Sequence, residues 1–181
     1  MFSNHSSNYS YLDKVRINDG IEKCKDVFAD AYEQNRQRAA YLVNDRRLTF
    51  PCLFILLPQI ESYGINSYLN SQNSIAAEII NQVLKWNNSS GGTDYLSVKT
   101  KAVYSTLRWM LETGSLEDGL NNEFEKILDV IVSVLINTYK DIRVLPVVAD
   151  MIFKRNRSGH YTHDLIWALF QLHHPYALKI L

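Results

Sequence analysis

The sequence predicts an all-α protein of consecutive amphipathic helix pairs, stacked antiparallel. Three observations predict it. Apolar residues recur at three- and four-residue spacing through most of the 181-residue chain, the period that gathers them on one helix face. The joints between these stripes are mostly short and polar, as in helices that fold back on one another. No run of alternating apolar and polar residues supplies a set of strands.

Taken in order, residues 1–10 are rich in Ser and Asn and read as a frayed tail, which leaves 11–181 as a single helical domain. Asp19 reads as the N-cap of a long helix with Ile21, Cys24, Phe28, Ala31 and Tyr32 on one face, ending near Asn44. Thr49 and Pro51 open the next helix, because Pro is tolerated in a first turn. Its run Cys52 to Leu57 is apolar all round, with a short buried strand as the competing reading, and Pro58 is expected to bend or end it. Ser74 opens a helix carrying Ile75, Ile79, Val83 and Trp86, and Asn87 to Thr93 is the strongest loop signal. A stripe from Val98 through Leu107 to Leu111 follows. Ser115 with Asp118 resembles a capping box with a shortened acid before the Leu120, Phe124, Ile127, Ile131 and Leu135 face. Tyr139-Lys140-Asp141 is a tight joint, Val144–Phe153 a further apolar helix, and Arg155–Gly159 a polar turn. Thr162 caps a helix to about Leu172, and His174-Pro175 starts the last one. Trp86, Trp109 and Trp167 lie on or beside apolar stripes and are expected to be buried wholly or in part.

Composition narrows the function. The chain carries 46% hydrophobic residues, enough for a core, and Lys plus Arg balance Asp plus Glu at 19 each. A neutral chain lacks the basic excess of a general nucleic-acid or membrane-surface binder. The N-terminus has no basic-then-apolar leader pattern, and the longest apolar stretch, Phe50–Ile60, is far short of a bilayer span, so a cytoplasmic protein is expected. Cys24 and Cys52 fit no metal-ligand spacing and read as small core residues in a reducing compartment.

The C-terminal segment carries a local pattern: Ala168-Leu169, Leu172, then His174-Pro175, then Ala177-Leu178 and Leu181. It resembles the inter-helix region of HEAT repeats, with Phe170 where that family often has Gly and His174 where it often has Asp. Aligning Asp141–Leu145 with His174–Leu178 gives a period of about 33 residues, within the roughly 20–45 of helical solenoids. The resemblance covers 141–181 and implies a HEAT-like α-solenoid, a right-handed superhelix. A narrower stretch, His160-Tyr161-Thr162-His163-Asp164-Leu165-Ile166, is similar to that of small HEAT-like proteins, some of them immunity proteins of bacterial polymorphic toxins. One acid, Asp164, stands where that pattern has two.

Two constellations bear on chemistry. Four of the five histidines lie between 160 and 174, and imidazoles are common metal ligands. His163-Asp164 resembles the central dipeptide of HD-type phosphohydrolases. That pattern needs a further upstream His and a downstream Asp, yet only His5 and His160 precede it and no Asp follows. No nucleophile elbow, phosphate loop or HExxH motif is present. The second constellation is acidic. Asp118, Asn122, Glu125 and Asp129 share one face opposite the apolar stripe, read as a solvated face or a partner-facing patch for a basic protein.

The expected function is a non-enzymatic protein-interaction module, with no catalytic residue, cofactor or metal, binding a protein partner through Asp118, Asn122, Glu125 and Asp129. The narrower resemblance implies an immunity-type inhibitor of a bacterial toxin. The alternative is a metal-dependent hydrolase using the His160–Asp164 region.

Overall fold

The computed structural model describes residues 8–68, 73–89, 98–118 and 122–181. The expected tail therefore lies outside the described residues up to position 7, as do residues 90–93 of the expected loop and Leu120. Among the described residues the chain is helical with no strand, so the apolar run at Cys52 is a helix. The contacts divide it into two compact units, residues 1–78 and 79–181.

The first unit holds α1 (Tyr11–Asp19), α2 (Ile21–Gln34), α3 (Arg36–Val43) and α4 (Phe50–Ser62), followed by a 3₁₀ turn, Ile65–Tyr68. α1 packs on α2, and α2 packs on α3 and α4. Leu12, Cys24, Phe28, Phe54, Leu56 and Ile60 fill the centre. α1 starts at Ser10, whose hydroxyl accepts from the Asp13 amide at 3.1 Å and donates to the Asp13 carboxylate at 2.9 Å. That reciprocal cap lies partly in the stretch expected to fray, and Ser10 is buried. Asp19 ends α1 instead of opening α2. The break falls at Gly20, whose φ of 96° suits a residue without Cβ.

The long helix expected from Asp19 to Asn44 is interrupted at Asn35. Its Oδ1 accepts from the Gln37 amide at 2.7 Å and its backbone is extended, so the side chain replaces a helical bond and restarts the helix. Thr49 caps α4 by accepting from Cys52 N, as expected, with Pro51 in the first turn. Pro58 does not end α4, which continues to Ser62. Leu56, Leu57 and Ile60 are buried around it, so packing outweighs the missing amide.

α5 (Ile75–Ser89) begins after Ser74, whose Oγ accepts from Ala77 N, and takes in Asn87 to Ser89 of the expected loop. The unit boundary after residue 78 falls within α5, and the second unit further holds α6 (Val98–Gly114), α7 (Asn122–Asn137), α8 (Leu145–Ser158), α9 (His163–Gln171) and α10 (Pro175–Leu178). α7 packs on α6 and α9, and α9 on α8 and α10. Leu107, Leu111, Ile127, Ile131, Leu135, Val148, Met151 and Leu169 are buried there. Ser115 opens a 3₁₀ turn, Ser115–Glu117, and its hydroxyl donates to Glu112 O, so the expected capping box with Asp118 does not form.

The two joints aligned at a period of about 33 residues share one local geometry. Lys140 and His173 both adopt left-handed backbones, with φ of 52° and 50°. The next residue in each case, Asp141 or His174, is extended and accepts through its side chain from the amide two positions on. Among the described residues no helix is long and apolar enough to cross a membrane.

Candidate functional site

α8 presents Leu145, Val148, Met151 and Arg155 at helical spacing, so an arginine occupies the last position of a buried stripe. Only 1% of Arg155 is exposed. It does not belong to a polar turn as expected, because α8 runs on to Ser158 and ends at left-handed Gly159. A buried guanidinium needs partners around its whole fork. Asp118 accepts from Nε through Oδ2 at 3.0 Å and from Nη2 through Oδ1 at 2.8 Å, a bidentate pair. Asp129 accepts from Nη1 at 2.7 Å and the Tyr161 carbonyl from the same nitrogen at 3.1 Å. The Glu125 carbonyl completes the set at 3.4 Å.

The acidic face read from the sequence is therefore corrected. Glu125 and Asp129 do share a side of α7, and Asp118 joins them, but that side turns inward to Arg155 and is not solvated. Asp118 and Glu125 are buried, and Asp129 keeps 10% of its side chain exposed. Asn122 opens α7, and its side chain lies outside the described residues. Charge reversal at 118 and 125, harmless on a solvated face, would here place lysines against Arg155 and His160. The Glu125 carboxylate meets His160 Nδ1 at 2.6 Å, so His160 is a partner of a buried acid.

Burial pushes the Asp129 carboxyl up to about 6, against the opposing pull of Arg155; Asp164 and Asp118 add to the rise. One guanidinium shared between two aspartates does not compensate for both the lost water and the neighbouring negative charges. Asp164, on the first turn of α9, is exposed.

Above this cluster the surface of the second unit is grooved. One pocket of about 580 Å³ is lined by Glu123, Glu125, Asp129, His160, Tyr161 and Asp164, among others. A second of about 330 Å³ shares Asp129 and Asp164 and reaches Trp167 and Gln171. A third of about 620 Å³ continues from Trp167 past Phe170 to Leu178. Trp167 is 56% exposed, which overturns its expected burial, whereas Trp86 and Trp109 are half-buried. α9 turns Leu165, Ala168 and Leu169 inward, and Trp167 stands on the opposite side. Its ring lies parallel to His163, which in turn approaches Tyr161. Five carboxylates (Asp118, Glu123, Glu125, Asp129, Asp164) meet two permanent cations, Arg155 and Lys126, and Lys126 is paired with Glu123. The groove is acidic at one end and aromatic at the other.

Among the described residues no three His, Cys, Asp or Glu side chains come together as a metal site. A separate polar knot lies at the α7–α8 joint. Asp141 accepts from Tyr104 at 2.5 Å, Arg108 at 2.8 Å and Arg143 at 2.9 Å. Burial alone would raise its carboxyl, but these donors outweigh it and hold it at about 2. No protein-family model, curated protein or solved structure matches the chain.

Proposed function

We propose that the chain is a non-enzymatic protein-interaction module whose recognition surface is the groove along α7 and α9. One observation carries the reading: exposed Tyr161, Trp167, Phe170 and Leu178 continue directly from an acidic pocket, in a chain with balanced charge. Large aromatic side chains anchor interfaces, and acidic rims steer basic partners. Asp118 and Glu125 serve from below, fixing the floor that presents Asp129 and Asp164. The shared geometry of the two joints supports stacked HEAT-like pairs, the architecture implied by the resemblance in 141–181.

Within this reading the most specific role is an immunity-type inhibitor that covers a basic toxin surface, which rests on the resemblance of His160–Ile166. The test compares binding of a captured partner by the wild type, by Asp164→Lys and by Trp167→Ala. Asp164→Lys is expected to slow association at low salt, with the difference shrinking as the Debye length falls from ~10 Å at 0.1 M to ~3 Å at 1 M. Trp167→Ala is expected to speed dissociation.

The second reading is a metal-dependent hydrolase using the His160–Asp164 region; the His160–Glu125 pair at the edge of the pocket supports it, although no three ligand side chains converge there among the described residues. Stoichiometric zinc or manganese held after dialysis, and lost on His160→Ala, would favour it over the binding module.

A further inference from the structure

We propose that Cys24 and Cys52 form a closable redox pair, converted by an oxidant of the peroxide class into a disulfide that staples α2 to α4. The two sulfurs lie 3.8 Å apart in the first unit, although 28 residues separate them in sequence. Both residues are fully buried, and they are the only cysteines of the chain, so no other thiol of the chain competes. A disulfide needs about 2.05 Å between sulfurs, so the pair must close by about 1.8 Å, within reach of modest side-chain rotation.

The two thiols are not equivalent. The hydrogen bond offered by Cys52 favours ionised Cys24, and nearby Arg16 adds to the effect, so the Cys24 thiol lies below its ordinary value despite burial. Cys52, the proton holder of the pair, is pushed up by the same bond and by burial. Cys24 lies directly under the Leu12 carbonyl, so it is the sulfur uncovered first when α1 opens, and it is the first nucleophile. Its thiolate attacks one oxygen of hydrogen peroxide, the O–O bond breaks, and hydroxide leaves to become water. Cys24 is then a sulfenic acid. Cys52 gives up its proton and attacks the Cys24 sulfur; the S–S bond forms, the S–O bond breaks, and a second water leaves. Two thiols are oxidised and one peroxide is reduced to two waters.

Access is governed by α1. Leu12 of α1 places its carbonyl 3.5 Å from Cys24 Sγ, so this helix lies over the pair. The adjacent Asp13, wholly buried, fastens it down. Its carboxylate accepts from the amide of Thr49 at 2.8 Å and from its hydroxyl at 2.5 Å, three residues before Cys52. An oxidant reaches the sulfurs when this latch opens locally.

The experiment treats the reduced full chain with hydrogen peroxide at neutral pH, then uses intact mass and non-reducing peptide mapping. The expected product has lost two hydrogens, links the Cys24 and Cys52 peptides, and reverts with dithiothreitol. Its melting midpoint is expected to rise by roughly 5 °C or more relative to the reduced chain. Asp13→Asn is expected to speed linkage severalfold; Ser10→Ala, a milder loosening, serves if that variant does not fold. Cys24→Ser is expected to give no mass loss. Thiols that stay free after prolonged exposure, or that go to sulfinic acids without linkage, would overturn the proposal. Equal linkage rates in the wild type and the loosened variant would overturn the role given to α1.

Discussion

Replacing Arg155 by leucine tests the cluster that shapes the groove. Leucine can occupy part of the vacated volume, so the change removes charge and donors more than packing. It strands Asp118, with no side-chain exposure, and Asp129, at 10%, without their shared counterion. Breaking a buried pair from one side typically costs ~3–5 kcal/mol, because the remaining charge keeps its desolvation penalty. Asp129, already at about 6 with Arg155 in place, rises further without it and takes up a proton near neutrality, so the middle of that range is expected at pH 7. The loss should narrow toward pH 5, where protonation neutralises Asp129. Adding Asp118→Asn should recover part of it, and the two changes should be non-additive. Arg155→Lys should fall between, because one ammonium cannot span both oxygens of Asp118 and also reach Asp129. Urea denaturation of the four proteins provides the comparison. A loss below ~1 kcal/mol for Arg155→Leu, the range of a solvated surface pair, would mean that Arg155 is not the buried counterion of Asp118 and Asp129.

His160→Ala should destabilise by ~1–3 kcal/mol, since it leaves the buried Glu125 carboxylate without its imidazole; thermal melts check this. Leu169→Ala, at a fully buried site, should cost ~2–5 kcal/mol, whereas Trp167→Ala, more than half exposed, should stay near or below ~1 kcal/mol in the same melts. For Asp129, the folded value of about 6 exceeds the ordinary 3.8, so the folded state binds the extra proton between them and stability falls as pH rises through that window, by on the order of 2–3 kcal/mol. Asp129→Asn should remove that slope from pH-dependent denaturation. Asp141 has the opposite sign: its folded value of about 2 gives stability that is complete above about pH 4 and is lost as pH falls toward 2, roughly 2 kcal/mol in size. Asp141→Asn should flatten that acid limb.

Helical class and many helix starts were legible because caps and periodicity are local. Thr49, Ser74 and His174 each act where short-range chemistry puts them. The breaks at Gly20 and Asn35 were read through because the apolar stripe runs across them, and a stripe does not register a single residue leaving the helix. The acidic face was found but its direction was not. Glu125 and Asp129 look solvated when α7 is taken alone; the missing partner, Arg155, lies 26 residues after Asp129 on another helix. A signal did exist: Arg155 falls on the Leu145, Val148, Met151 register, and an arginine there needs buried acids. The exposure of Trp167 is hidden in the sequence for the converse reason. It sits beside Ile166 and Ala168 in an apolar run, and which of these faces solvent depends on the helices against which α9 packs. The Cys24–Cys52 approach is likewise a tertiary fact, since spacing says nothing about two helices meeting.

The groove's role is tested most directly by recovering partners from the native host with three baits. These are the wild type, the groove variant Asp164→Lys/Trp167→Ala, and Tyr41→Ala, which alters a 79%-exposed aromatic of the other unit. Melting midpoints of all three should agree within a few degrees, so that binding alone is compared. One protein with a basic surface is expected, retained by the wild type and by Tyr41→Ala in near-stoichiometric amount and lost from the groove variant. Equal retention by the groove variant, loss on Tyr41→Ala, or no stoichiometric partner on any bait would contradict it.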